Sequence, residues 1–276
     1  MPTSRALALS CHPGPTVVVT TVSVALAVAV DQTPLGLLLV GVTVLIGQLS
    51  IGWSNDWLDA SRDLVSDRTD KPVAVGQVSA SLVRSAAFTA LALSLPLSFL
   101  NGVSSGWAHC GLVGSGWAYN LGLKRTLWSW TPYALGFGLL PAFVTLSLPA
   151  APWPPWWAMA AGALLGVGAH FANVLPDIDE DLAHGVRGLP QRLGSQRCGS
   201  VAIALLLAAS GLLVVAPVGS PTAVMWCGSV VVLILVGWAS SALVGRGSAS
   251  RVFQAAMLIS LVDALLLVNA AAVVAG

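Results

Sequence analysis

Long apolar runs alternate with short polar breaks along the whole chain. Apolar stretches fall at 14–31, 34–52, 81–100, 104–122, 128–148, 155–175, 199–218, 222–244 and 252–275, each bounded by Gly, Pro or charge. A hydrocarbon core about 30 Å thick takes about 20 apolar residues per crossing, so the pattern predicts nine membrane-spanning helices. The expectation is an all-α, polytopic membrane bundle, with residues 1–13 as a short cytosolic tail and 14–276 as a single transmembrane domain. The fourth stretch is Gly-rich and carries His109 and Asn120, and its small residues suit close approach of neighbouring helices.

Composition agrees with the pattern. Hydrophobic residues make up 56% of the chain and charged residues 8%, with a mean hydropathy of +0.85, whereas a soluble domain carries about a quarter charged residues. The net charge of +1 and the scattering of twelve Lys and Arg among acid-bearing loops exclude a basic nucleic-acid footprint. Cys11, Cys110, Cys198 and Cys227 show no C-x-x-C spacing and read as reduced thiols, with no disulfide framework or zinc site.

The basic residues also report orientation. Arg5 precedes the first stretch; Arg62, Arg68, Lys71 and Arg84 follow the second; Lys124 and Arg125 follow the fourth; Arg187, Arg192 and Arg197 follow the sixth; Arg246 and Arg251 follow the eighth. The opposite connections, near 32–33, 101–103, 149–154 and 219–221, hold no Lys or Arg. The positive-inside rule then sets the N-terminus in the cytoplasm. A multi-pass protein of the plasma membrane is expected.

Charge is concentrated in one repeated pattern. Nine of the eleven acidic residues lie in two short segments, Asp56–Asp70 and Asp177–Asp181. Each contains Asn-x-x-x-Asp-x-x-x-Asp, as Asn55, Asp59 and Asp63 and again as Asn173, Asp177 and Asp181. Side chains four apart share a helix face, so each triplet is a row of oxygen donors. Such hard donors suit Mg²⁺, which keeps several waters and is held by a few carboxylates together with substrate phosphates. Each row is trailed by a basic, Pro-containing loop, and Arg68, Lys71, Arg187 and Arg192 are placed to contact phosphate oxygens. One acidic run at a helix end is usually a solvated loop. Two runs with identical spacing on the same membrane face argue for a divalent-cation and diphosphate site, with active chemistry on the cytoplasmic side.

Other residues invite weaker readings. Asp263 lies midway along the last stretch, where a carboxylate is costly; a hydrogen-bonded packing role is preferred over a substrate contact or proton acceptor. His170, one turn before Asn173, reads as a packed histidine. Trp153, Trp156, Trp157, Trp128 and Trp130 read as interfacial anchors, and Trp53 and Trp57 as candidates to line a cavity beside the first row.

NDWLDASRD followed by RTDKPVAVG, and then NVLPDIDEDLAHGVRGLPQRLG, closely resemble the paired aspartate-rich signatures of the UbiA-type intramembrane prenyltransferases. The segment AYNLGLKRT, which ends in Lys124, Arg125 and Thr126, is similar to the one that follows the fourth helix in that family. The resemblance implies transfer of an isoprenyl group from an allylic isoprenyl diphosphate to a small-molecule acceptor, commonly aromatic, within the membrane lipid and with Mg²⁺ as cofactor. It further implies that Asn55, Asp59, Asp63, Asn173, Asp177 and Asp181 hold metal and diphosphate, that Asp56 and Lys71 support them, and that Lys124 binds substrate. Asp59, Asp63, Asp177 and Asp181 would be the catalytic acids. Asp179 and Glu180 crowd the second row, and Gln191 answers to no feature of the family pattern. Three alternatives stay open: a membrane terpene cyclase on the same scaffold, another diphosphate-activated group transfer such as phosphoribosyl transfer, and a transporter using Asp263, which the one-sided acids disfavour.

Overall fold

A computed structural model describes residues 2–65, 71–183, 185–244 and 249–275. Its helices are α1 (Thr3–Leu9), α2 (Pro13–Ala29), α3 (Pro34–Val65), α4 (Ala80–Leu100), α5 (Val103–Leu121), α6 (Thr131–Thr145), α7 (Trp156–Val174), α8 (Ile178–Ala183), α9 (Leu189–Val215), α10 (Ala223–Val244) and α11 (Ala249–Ala275). Short 3₁₀ turns occupy Leu123–Arg125 and Leu175–Asp177, and no strand occurs among the described residues. Every apolar stretch of the sequence contains one helix of at least 15 residues.

Among the described residues, six helices are long and apolar enough to cross a membrane by themselves, and α1 with α2, bent by 63°, would make a seventh. Two further helices, α5 and α6, fall outside that set for visible reasons. α6 is short. α5 is rich in Gly and Ser and turns Ser105, His109, Ser115 and Asn120 into the bundle.

Successive helices pack side by side, and α11 returns against α2, α7 and α9, which closes the bundle. Close approach is set by small residues at two points. A Cβ on Gly166 of α7 would lie 2.6 Å from the Tyr133 carbonyl oxygen, so α6 and α7 approach backbone to backbone there only because none is present. A Cβ on Gly52 of α3 would overlap the Cys11 backbone, which fixes where the N-terminal segment crosses α3.

That segment, expected as a tail, is helical and docked. Ala6 is fully buried, and the Trp53 indole nitrogen donates to the Leu7 carbonyl at 2.9 Å. Trp53 thus anchors α1. Trp57 continues a line of rings through Phe88 to Trp117, with centroids 5.6 and 5.3 Å apart. Of the expected anchors, Trp128, Trp153 and Trp156 are exposed, whereas Trp157 is buried in the core.

The outer surface is apolar, with Leu38, Val42, Trp107, Val230, Leu233 and Ile234 exposed, as a lipid-facing bundle requires. Several polar side chains inside pair with one another. Ser98 and His109 lie 2.7 Å apart, Asn101 donates to Thr43 at 2.9 Å, and Ser210 donates to Asp263 at 2.5 Å. Asp263 of α11 is fully buried and accepts that bond from Ser210 of α9.

Candidate active site

The first acidic row is a direct consequence of helix periodicity. α3 runs without a break through the motif to Val65, so Asn55, Asp59 and Asp63 stack on one face, with Asp59 and Asp63 buried and Asn55 half-buried. Asp56, one position round the helix, is buried as well.

Asp59 and Asp56 have partners from elsewhere in the chain, and Asp63 pairs with its neighbour Arg62 on α3. Lys124, in the 3₁₀ turn after α5, donates to both oxygens of Asp59 at 2.5 and 2.6 Å. Arg62 donates to Asp59 at 3.2 Å and to Asp63 at 3.4 Å. Oδ1 of Asp56 meets Lys71 Nζ at 2.7 Å and His12 Nε2 at 2.9 Å, while its Oδ2 is buried with no partner among the described residues. Asn55 donates through Nδ2 to Oδ1 of Asn120 at 3.0 Å. Burial pulls the Lys124 ammonium below its ordinary pKa, and the Asp59 charge opposes that pull.

The second row departs from a single helix face. Pro176 has no N–H to continue α7, and the chain passes through the 3₁₀ turn before α8 begins. Asn173 therefore stands exposed at the end of α7, Asp177 lies in the turn, and Asp181 sits on α8. The eight-residue row is re-aimed at its centre. Gln191, at the start of α9, donates to Asp181 at 2.8 Å and is itself buried.

The two rows come together at one end of the bundle. Arg62 on α3 is within electrostatic reach of Asp181 on α8. Tyr119, at the end of α5, is within reach of Asp59 and Asp181 alike. Beside it lies an aromatic layer: the Tyr133 ring stacks on His170 at 4.5 Å, and Tyr119 meets Tyr133 edge-on at 5.2 Å. Ser129 ties this layer to the loop after the second row, with its Oγ 3.2 Å from His170 Nε2 and accepting from the Leu189 N–H at 3.3 Å.

The expected basic residues divide. Lys71 and Lys124 are drawn into the first row, as above. Arg187 and Arg192 are exposed beyond the second row, where the Arg192 Nε donates to the Arg187 carbonyl at 2.9 Å. Arg68 lies outside the described residues. His12, Asn120, Tyr119 and Gln191 are the partners sequence reasoning missed.

The donor set is hard oxygen throughout, and among the described residues no three His, Cys, Asp or Glu side chains converge into a closed cage. Sparse carboxylates with an open, unpartnered Asp56 oxygen fit Mg²⁺, an ion that keeps waters and takes its remaining ligands from phosphate. They would not fit zinc.

These features define a multi-pass, all-helical membrane protein with a paired acidic site at one end of its bundle. Residues 16–262 match the UbiA prenyltransferase family, and the chain belongs to that family. It is 31% identical over 182 residues to the bacteriochlorophyll synthase 33 kDa chain of Cereibacter sphaeroides, a match that covers 62% of this chain and 60% of that relative's length. Among solved structures, an apo UbiA homolog from Aeropyrum pernix K1 has a TM-score of 0.74 at 16% identity, over 93% of this chain and 98% of that one. A UbiA homolog from Archaeoglobus fulgidus bound to DMAPP and Mg²⁺ has a TM-score of 0.72 at 16% identity, over 96% and 98%.

Proposed function

We propose that the protein moves an isoprenyl group from an allylic isoprenyl diphosphate to an aromatic acceptor. One observation carries the reading: acids of two Asn- and Asp-bearing rows far apart in sequence, Asp59 and Asp181, both lie within electrostatic reach of Tyr119 and of Arg62 at one end of an apolar bundle. The family membership supports it, as do a relative named as a bacteriochlorophyll synthase and structural neighbours bound to DMAPP or GPP with Mg²⁺.

In this reading Asn55, Asp56, Asp59 and Asp63 on one side, and Asn173, Asp177 and Asp181 on the other, hold Mg²⁺ and through it the diphosphate. Bound Mg²⁺ supplies Lewis-acid stabilisation of the charge that builds on the leaving diphosphate. Lys124 and Arg62 keep Asp59 and Asp63 in place and add positive charge where diphosphate oxygens would sit. The allylic C–O bond breaks, its electron pair leaves with the diphosphate, the acceptor carbon bonds to the allylic cation, and the acceptor then releases a proton. The rings of Tyr119, Tyr133 and His170 form an aromatic layer near the site that would limit water access to the cation. The protein sits in the plasma membrane with this site toward the cytoplasm, as the one-sided Lys and Arg support.

The test incubates membranes bearing the full chain with labelled allylic diphosphates of several lengths, with and without Mg²⁺ and a panel of ring-bearing acceptors. Prenylated acceptor that requires both Mg²⁺ and acceptor is expected, and Asp59→Ala with Asp177→Ala abolishes it. Diphosphate release unchanged in that double variant would overturn the site. A cyclic product formed without acceptor would move the assignment to a cyclase.

A further inference from the structure

A chain of amide groups with a fixed direction ends at Asn55. It begins at the Ile51 carbonyl oxygen of α3, a group that only accepts hydrogen bonds. Nδ2 of Asn120 donates to that oxygen at 2.9 Å and to Oγ of Ser54 at 2.8 Å. The Ser54 hydroxyl gives its own proton to Ile51 O at 2.8 Å, which leaves its oxygen free to accept. The NH₂ end of Asn120 is thereby held against α3, so its Oδ1 must face Asn55. That oxygen also only accepts, and Asn55 can answer it only with Nδ2, at 3.0 Å. Ser54 and Asn120 are both buried, at 0% and 5% exposure, so water does not compete for these bonds.

The consequence falls on the other end of the Asn55 side chain. With Nδ2 engaged by Asn120, Oδ1 is left for a partner outside the pair. A flipped amide would present N–H to a cation and repel it. We propose that Asn120 is a positioning residue that sets the Asn55 amide so that oxygen, not nitrogen, is offered to Mg²⁺; the role rests on Asn55 being a ligand of that ion. The direction originates in a backbone carbonyl of α3 itself and returns through α5 to the row, so the helix that carries the row also orients its first donor.

The experiment measures Mn²⁺, as a paramagnetic stand-in for Mg²⁺, binding to the detergent-purified full chain with inorganic pyrophosphate, by electron paramagnetic resonance. Asn55→Ala is expected to weaken Mn²⁺ binding. Asn120→Leu, which keeps the branched shape but removes the direction, is expected to weaken it about tenfold, the upper scale of one lost neutral hydrogen bond. Asn120→Ala serves the same purpose if the Leu variant does not fold. The decisive comparison uses Asn55→Asp, whose two oxygens need no orienting. Beside an intact Asn120, one of those oxygens faces an amide oxygen, so Asn55→Asp is expected to bind Mn²⁺ more weakly than Asn55→Asp combined with Asn120→Leu. A merely structural Asn120 gives the reverse order. If Asn55→Ala binds as wild type, the ligand reading of Asn55 falls. If Asn55→Ala weakens binding but the Asn120 variants do not, or the double variant is the weaker, the positioning role is overturned and the site stands.

Discussion

Lys124 places its ammonium nitrogen 2.5 and 2.6 Å from the two oxygens of Asp59, and both residues are buried, at 7% and 3% exposure. The pair links the turn after α5 to the acidic row of α3 across 65 positions of sequence. Removing one partner leaves the other charge buried, so Lys124→Met is expected to destabilise the protein by about 3–5 kcal/mol. Asp59→Asn combined with Lys124→Met replaces the charge pair by neutral groups and is expected to recover most of that loss while staying inactive. Thermal unfolding in detergent and turnover, measured on all three variants, check the pattern. A double variant as unstable as Lys124→Met would show that charge burial is not the cause.

The same pair sets a pH dependence. Lys124 has a folded pKa below its ordinary value of 10.5, from burial. Between the folded value and 10.5 the unfolded chain still holds a proton that the folded chain has released. Stability from this group is therefore full above 10.5 and is lost as pH falls through the lower folded value. Activity runs the other way, because the ammonium is the form that pairs with Asp59. The pH–rate profile is expected to fall on its alkaline side below 10.5, and Lys124→Arg, which does not deprotonate in that range, is expected to remove the fall.

The docked N-terminal segment gives a structural prediction. Gly52 allows the Cys11 backbone to lie directly on α3, and Cys11 is buried there. Gly52→Leu forces the segment off, which also withdraws His12 from Asp56 and breaks the Trp53 bond to Leu7. In a background with Cys110, Cys198 and Cys227 replaced by Ala, Cys11 is expected to react slowly with a maleimide, and Gly52→Leu is expected to speed the reaction manyfold. Equal rates would place the segment off α3 in the native protein.

How far the sequence carried the site depends on the physics of each part. The α3 row was legible because a four-residue spacing and an uninterrupted helix are both local. The second row has the same spacing, but Pro176 removes an N–H and inserts a 3₁₀ turn, so identical letters form a different surface. The apolar stretches were legible from the membrane's thickness, whereas the first turns of α9 are polar and basic and fall outside the stretch 199–218; Gly194, at φ 76°, sets them off from the rest of the helix. His12, Asn120 and Gln191 were not legible. Their roles come from contacts 44, 65 and 10 positions away, made by residue types that serve equally well in loops and on helix faces.

Gln191 shows what such a contact should do. It is buried, donates to Asp181 at 2.8 Å, and lies at the first turn of α9, which Pro190 starts. Gln191→Leu takes away that donor and leaves Asp181 to rotate on the short α8. The expected result is a turnover loss of about tenfold with a stability change under about 1.5 kcal/mol, the usual scale of one hydrogen bond. Gln191→Glu, which offers a carboxylate to a carboxylate, is expected to be worse. Turnover and thermal unfolding of the two variants decide between positioning and bulk packing, because packing alone would favour the Glu variant's closer volume.

Asp263 tests the opposite assignment, a polar group kept for packing. It is fully buried, its Oδ1 lies 2.5 Å from the Ser210 hydroxyl, and its Oδ2 meets no partner among the described residues. Ser210 has a second acceptor in the Leu206 carbonyl at 3.0 Å, so it is not stranded when Asp263 goes. Replacing a buried polar pair by apolar groups of similar shape is nearly neutral or stabilising. Asp263→Leu is therefore expected to keep or raise the unfolding temperature and to retain turnover, and adding Ser210→Ala is expected to change little more. Unfolding temperature and turnover are read on the same preparation. A variant that keeps its fold and loses turnover would make Asp263 part of the chemistry and return it to the role of substrate contact or proton acceptor.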